Sequence, residues 1–159
     1  MTILRSLVGA IAIIVFGTTA TARAQAPLTI DEALALIGAT SDAAAAKNLH
    51  LSIAVVDGRG DLIAMARMAD ARPTTADTAI GKAMLSAMTG RPSAAMTGRG
   101  NTALYRNLND RTGGRLRFFQ GALPIVRDGF TVGALGSSGA SSQADEDAVR
   151  AALMSTGFE

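Results

Sequence analysis

One histidine, no cysteine and three well-spaced cations hold most of the chemical reach of this 159-residue chain. His50, as a neutral imidazole, can ligate a metal ion; at a helix–strand junction it can equally cap carbonyls. Arg67, Arg72 and Lys82 can hold the carboxylates of a small acid, the arginines in bidentate fashion. The same three cations can instead hold Asp57, Asp70 or Asp77 in structural ion pairs, and the residues alone leave both uses open. Gly136, Ser137, Ser138 and Gly139 open the run Gly136 to Ser142, which leads from an expected strand into an expected helix. Its backbone N–H groups suit a carboxylate or phosphate, and equally a tight connector. The consecutive acids Asp145, Glu146 and Asp147 splay around a helix axis, so they fit the first turns of a helix better than one shared ion.

Absences narrow the chemistry further. Without cysteine there is no disulfide, no thiol nucleophile and no cysteine-based zinc site. A Ser-His-Asp arrangement would have to use His50, and no G-x-S-x-G elbow accompanies it. A binding protein is therefore favoured over an enzyme. The opening segment has a positive start with Arg5, an apolar run from Leu7 to Phe16, and small residues ending in Ala22-Arg23-Ala24. That layout predicts a signal peptide over 1–24, cleaved before Gln25, and a periplasmic or secreted mature protein. The apolar run is too short to span a bilayer, so no membrane attachment is expected after processing. Of the 15 Lys and Arg, Arg5 and Arg23 leave with the signal, and the remaining 13 balance 13 Asp and Glu. No basic block remains for nucleic acid, and a near-neutral surface favours self-association.

The elements that must position these residues follow from pattern. Thr29 and Glu32 form a capping box before a helix expected from about Ile30 to Lys47. Two β-rich runs flank Asp57-Gly58-Arg59-Gly60-Asp61, where Gly58 and Gly60 permit positive φ and the aspartates can bond the local backbone. The Arg59-Gly60-Asp61 tripeptide therefore reads as turn chemistry rather than an adhesion signal. An Ala- and Met-rich helix is expected over 74–88, its alanines suited to close approach to a sheet or partner helix. An irregular Gly- and Arg-rich stretch follows, with a helical turn near 102–108. Asp128-Gly129 predicts a tight hairpin between Leu123–Arg127 and Phe130–Leu135. Ser142 is the expected N-cap of a last helix ending at Gly157. Together these predict one domain over 25–159, an antiparallel sheet with helices packed on it.

Val55-Val56-Asp57, Arg67-Met68, Ala71-Arg72-Pro73, Lys82, Leu123-Pro124, Asp128-Gly129, Val132-Gly133, Ser138-Gly139 and Asp145-Glu146 occur in an order that resembles the GlcG/HbpS family, which includes the C-terminal domain of PduO-type proteins. The likeness runs from about Thr29 to Leu153. It implies an α/β (α+β) fold, three-layer α/β/α around a five-stranded antiparallel sheet, profilin-like. It also implies a homo-oligomer built from dimers, with haem as cofactor or cargo in capture, storage, sensing or slow degradation. Relatives often carry Gly-Gly-His-Leu where this chain has Gly58-Arg59-Gly60-Asp61-Leu62, so Asp61 stands at a histidine position. If that histidine ligates iron in some relatives, this chain cannot do so the same way; His50, a methionine or Tyr105 could each ligate haem iron. The alternative is an accessory protein or enzyme acting on a small hydroxy-acid or corrinoid-type ligand held by Arg67, Arg72 and Lys82.

Overall fold

The computed structural model describes residues 26–158; the expected signal peptide and its cleavage site lie outside the described residues. The chain runs α1 (Ile30–Ala45), β1 (Ser52–Asp57), β2 (Leu62–Arg67), α2 (Thr75–Thr89), a 3-10 turn (Ser93–Met96), α3 (Ala103–Arg111), β3 (Ala122–Arg127), β4 (Phe130–Ser138) and α4 (Ser142–Thr156). The strands form an antiparallel sheet in the order β2-β1-β4-β3. Among the described residues the sheet has four strands, one fewer than the resemblance implied. The stretch after α2 forms a 3-10 turn and α3, and β3 ends the sheet.

Alternation along β1 and β4 divides the core between two faces. Ile53, Val55 and Leu135 meet α1 and α4 through Leu36, Ile37, Val149 and Leu153. Val56 and Ala134 point the other way, toward Ala83, Met84 and Leu85 of α2. The layers are thus α1 with α4, the sheet, and α2, as period-2 strands between amphipathic helices require. The alanines of α2 do serve a close approach to the sheet. A Cβ on Gly136 would lie 2.7 Å from the Ala79 carbonyl oxygen and 3.1 Å from the Ala83 methyl.

Local chemistry explains the ends and turns. Thr29 Oγ1 accepts from the Glu32 N–H at 3.2 Å, and Glu32 Oε2 accepts from the Thr29 N–H at 2.8 Å, the reciprocal pair that starts α1. In the first hairpin Asp57 Oδ1 accepts from the N–H groups of Arg59 (2.8 Å) and Asp61 (2.9 Å), so the tripeptide is held as a turn. Gly60 takes φ +93, whereas Gly58 is not left-handed; its lack of a side chain leaves room for the Thr131 carbonyl. In the second hairpin Asp128 and Gly129 are both left-handed, at φ 52 and 80, matching a two-residue turn.

Both sheet edges are guarded. On β3 the outward N–H of Ala122 donates to Ser93 Oγ at 2.9 Å. Two residues on, the corresponding position is Pro124, which has no N–H to offer another strand. On β2 the register slips beside Ile63, and such a bulge spoils the outer ladder.

Candidate ligand-binding site

Where β4 runs into α4, the run Gly136 to Ser142 is tied into a buried polar network. Lys82 Nζ donates to Asp145 Oδ2 at 2.9 Å and to the Ser137 carbonyl at 3.1 Å, with both side chains almost sealed (3% and 2% exposed). Asp145 Oδ1 accepts from the Ala140 N–H at 3.0 Å, and Ser137 Oγ donates to the Asp145 carbonyl at 2.9 Å. Gly121 is left-handed at φ +130, and a Cβ there would sit 2.6 Å from Lys82 Nζ; no other residue fits beside the pair. Pulling Asp145 inward also sets the phase of α4, so its N-cap is Ser141, whose Oγ accepts from the Ala144 N–H, rather than the expected Ser142. The three consecutive acids separate as helix geometry demands: Asp145 to Lys82, Glu146 to Arg150 (2.8 Å), Asp147 to Gln143 (2.8 Å).

The other anticipated residues gather at the rim of this network. Ser52 of β1 is opposite Arg67 on one side and Ser138 on the other, which sets these at one end of the sheet. There Arg72 Nη2 donates to the Gly139 carbonyl (3.2 Å), Arg67 Nη1 donates to the Ala71 carbonyl (2.6 Å), and His50 Nδ1 lies 3.0 Å from the Ala69 carbonyl. Gly139 packs against the His50 carbonyl, and Gly136, Ser137 and Ser138 are buried. His50, Arg67 and Arg72 are exposed and form a shallow cationic rim. Lys82 does not join them, because Asp145 takes up its ammonium. That partner lies outside the three aspartates the sequence suggested. Among the described residues no cluster of three His, Cys, Asp or Glu is placed to hold a metal ion.

A concave apolar surface lies elsewhere. A groove of about 330 Å³ runs between the edge strand β3 and α4, walled by Leu123, Pro124, Val126, Leu153, Met154 and Phe158, with Pro92 at one end. Its charged lining residue is Arg150, which projects from α4 and is tethered by one nitrogen to Glu146 Oε1. Glu146 Oε2 is buried without a hydrogen-bond partner. Arg127 closes the neighbouring hollow, stacked over Phe158 (5.6 Å to the ring centre) and paired with Glu32 at 2.6 Å. None of His50, Arg67, Arg72, Lys82 or the run Gly136 to Gly139 lines the groove, whereas Leu123 and Pro124 of the family-like segment do. Its available signal was Arg150 and Met154 one helical turn apart, on the face of α4 that Leu153 shares.

Residues 28–154 match the family described as haem-degrading, HbpS-like protein. The chain belongs to the HbpS-like family. It is 35% identical over 109 residues to the protein GlcG of Escherichia coli K12, covering 67% of this chain and 77% of that protein. The fold is similar to a double mutant of Streptomyces reticuli HbpS, with a TM-score of 0.73 and 27% identity over 92% of this chain and 97% of that one. A complex of PduOC with haem superposes with a TM-score of 0.70 at 25% identity, over 79% of this chain and 92% of its own.

Proposed function

We propose that this HbpS-like protein is exported to the periplasm or beyond and binds haem, serving its capture, storage or sensing. The carrying observation is the β3–α4 groove: apolar walls with a guanidinium at the margin suit a flat, greasy ring with an acidic edge. Proline, leucine and valine side chains would lie against the ring, and Arg150 would hold a propionate. The Met154 thioether, on the groove wall and exposed, is the iron ligand the groove itself offers. PduOC in its haem complex supports the ligand class. Exposed Ile30, Leu34, Phe119 and Phe130 suit contacts between copies in a homo-oligomer.

Hemin titration tests the reading. Saturable displacement of the Soret band from that of free hemin is expected, weakened about tenfold or more by Arg150→Ala, which removes a charge-assisted contact. A band that stays at the free-pigment position, or an Arg150→Ala variant that binds as wild type, refutes it.

A further inference from the structure

Away from the groove, α2 and the segment after α3 enclose a second cavity of about 280 Å³, lined by Asp77, Ile80, Gly113, Gly114, Arg115 and Arg117. The segment is firmly placed. Gly114 donates its N–H to the Asn109 carbonyl (2.8 Å), Leu116 donates its N–H to Asn109 Oδ1 (2.9 Å), and the Leu116 side chain is buried in the α2-side core. Leu116 is turned inward, and Arg115 and Arg117 on either side of it line the cavity. Gly81 lets this segment cross α2. Its carbonyl accepts from the Arg117 N–H at 3.2 Å, and a Cβ there would run into the Arg115 carbonyl oxygen and Arg117 Cγ.

Two guanidiniums and a carboxylate thus face one cavity, yet none pairs with another. Arg117 is held by Nη1 alone, to the carbonyls of Gly114 (2.9 Å) and Leu116 (3.1 Å). Among the described residues, the side chains of Arg115 and Asp77 make no hydrogen bond or ion pair. Around them the field is positive: residues 91–120 carry six arginines against one acid, Asp110. A bare anion would meet the arginines but face Asp77 with repulsion. A molecule with a carboxylate and an adjacent hydrogen-bond donor would satisfy all three groups.

We infer that this cavity binds a small organic acid bearing a hydroxyl or ammonium donor beside its carboxylate. The carboxylate lies against Arg115 and Arg117, and the donor reaches Asp77. The site is separate from the haem groove and does not depend on it.

Three probes of equal carbon count isolate the donor: propionate, L-lactate and L-alanine, titrated calorimetrically into the purified protein, with inorganic phosphate as a fourth arm. Lactate or alanine should bind about tenfold or more tightly than propionate, the worth of one charge-assisted hydrogen bond. Asp77→Ala should erase that preference, and Arg115→Ala should abolish binding while leaving the melting temperature and the hemin titration unchanged. Amide shifts at Gly113 and Gly114 should mark the bound state. Equal binding of all three acids, binding of phosphate alone, no binding of any probe, or an Arg115→Ala variant that binds as wild type overturns the inference. Loss of hemin binding alone leaves it standing.

Discussion

Replacing Lys82 by methionine probes the network that joins the sheet to two helices. Methionine fills similar volume but removes both hydrogen bonds from Nζ, leaving the Asp145 carboxylate, 2% exposed, with the Ala140 N–H as its side-chain partner. Breaking one member of a buried pair costs about 3–5 kcal/mol, because the remaining charge is stranded. Against a typical domain stability of about 5–15 kcal/mol, the variant should remain folded at 25 °C but with much of its margin gone. Neutralising the stranded partner should recover part of the loss. Asp145→Asn keeps an acceptor for Ala140, so the double variant should be less destabilised than Lys82→Met alone, by about 2 kcal/mol. Urea denaturation followed by circular dichroism at pH 7, with a full double-mutant cycle, measures this directly. Hydrogen exchange at Ala140 should also quicken in Lys82→Met/Asp145→Leu, where its acceptor is gone. A loss below about 1 kcal/mol for Lys82→Met, or additive single effects, would show that the pair is not the closed, desolvated contact described.

Two smaller perturbations test local features. Thr74 begins α2 at φ 70 with no side-chain cap, a costly conformation for a β-branched residue. Thr74→Gly should raise stability by about 1 kcal/mol, or about 4 °C in Tm, and an unchanged or lower Tm contradicts the strain. The Thr29 backbone N–H, aided by the Thr29 hydroxyl and Arg127, lowers the Glu32 pKa, with partial burial opposing them. A depressed carboxylate stabilises the fold above its unfolded pKa of about 4.3 and loses that contribution as pH falls through its folded value. The Tm gap between wild type and Glu32→Gln should therefore hold steady above about pH 5 and shrink below about pH 4; a gap that is independent of pH sinks the assignment.

Local rules were enough for every element whose cause is local. The capping box at Thr29 and Glu32, the Asp57 turn and the Asp128-Gly129 hairpin need only neighbours within a few residues, and each forms as its residue types dictate. The antiparallel sheet with helices packed on it followed from the order of apolar runs and turns, and the family likeness supplied its three layers. Long-range partners were a different matter. Lys82 and Asp145 each sit on the apolar stripe of their helix, beside Ala79 and Ala83 in one case and Ala148, Val149 and Ala152 in the other. Two opposite charges on two buried stripes hint at a pair, but 63 residues separate them, and only the packing of α2 and α4 around the sheet brings them together. The same holds for both cavities. Sequence alone assigned no role in a site to Arg150, in the last helix, or to Arg115, in the Gly- and Arg-rich stretch. Each gained a cavity wall only when an edge strand or a glycine of another element approached it. Periodicity states which face of an element is buried; which two faces meet, and what hollow they leave, is set by the closure of the whole chain.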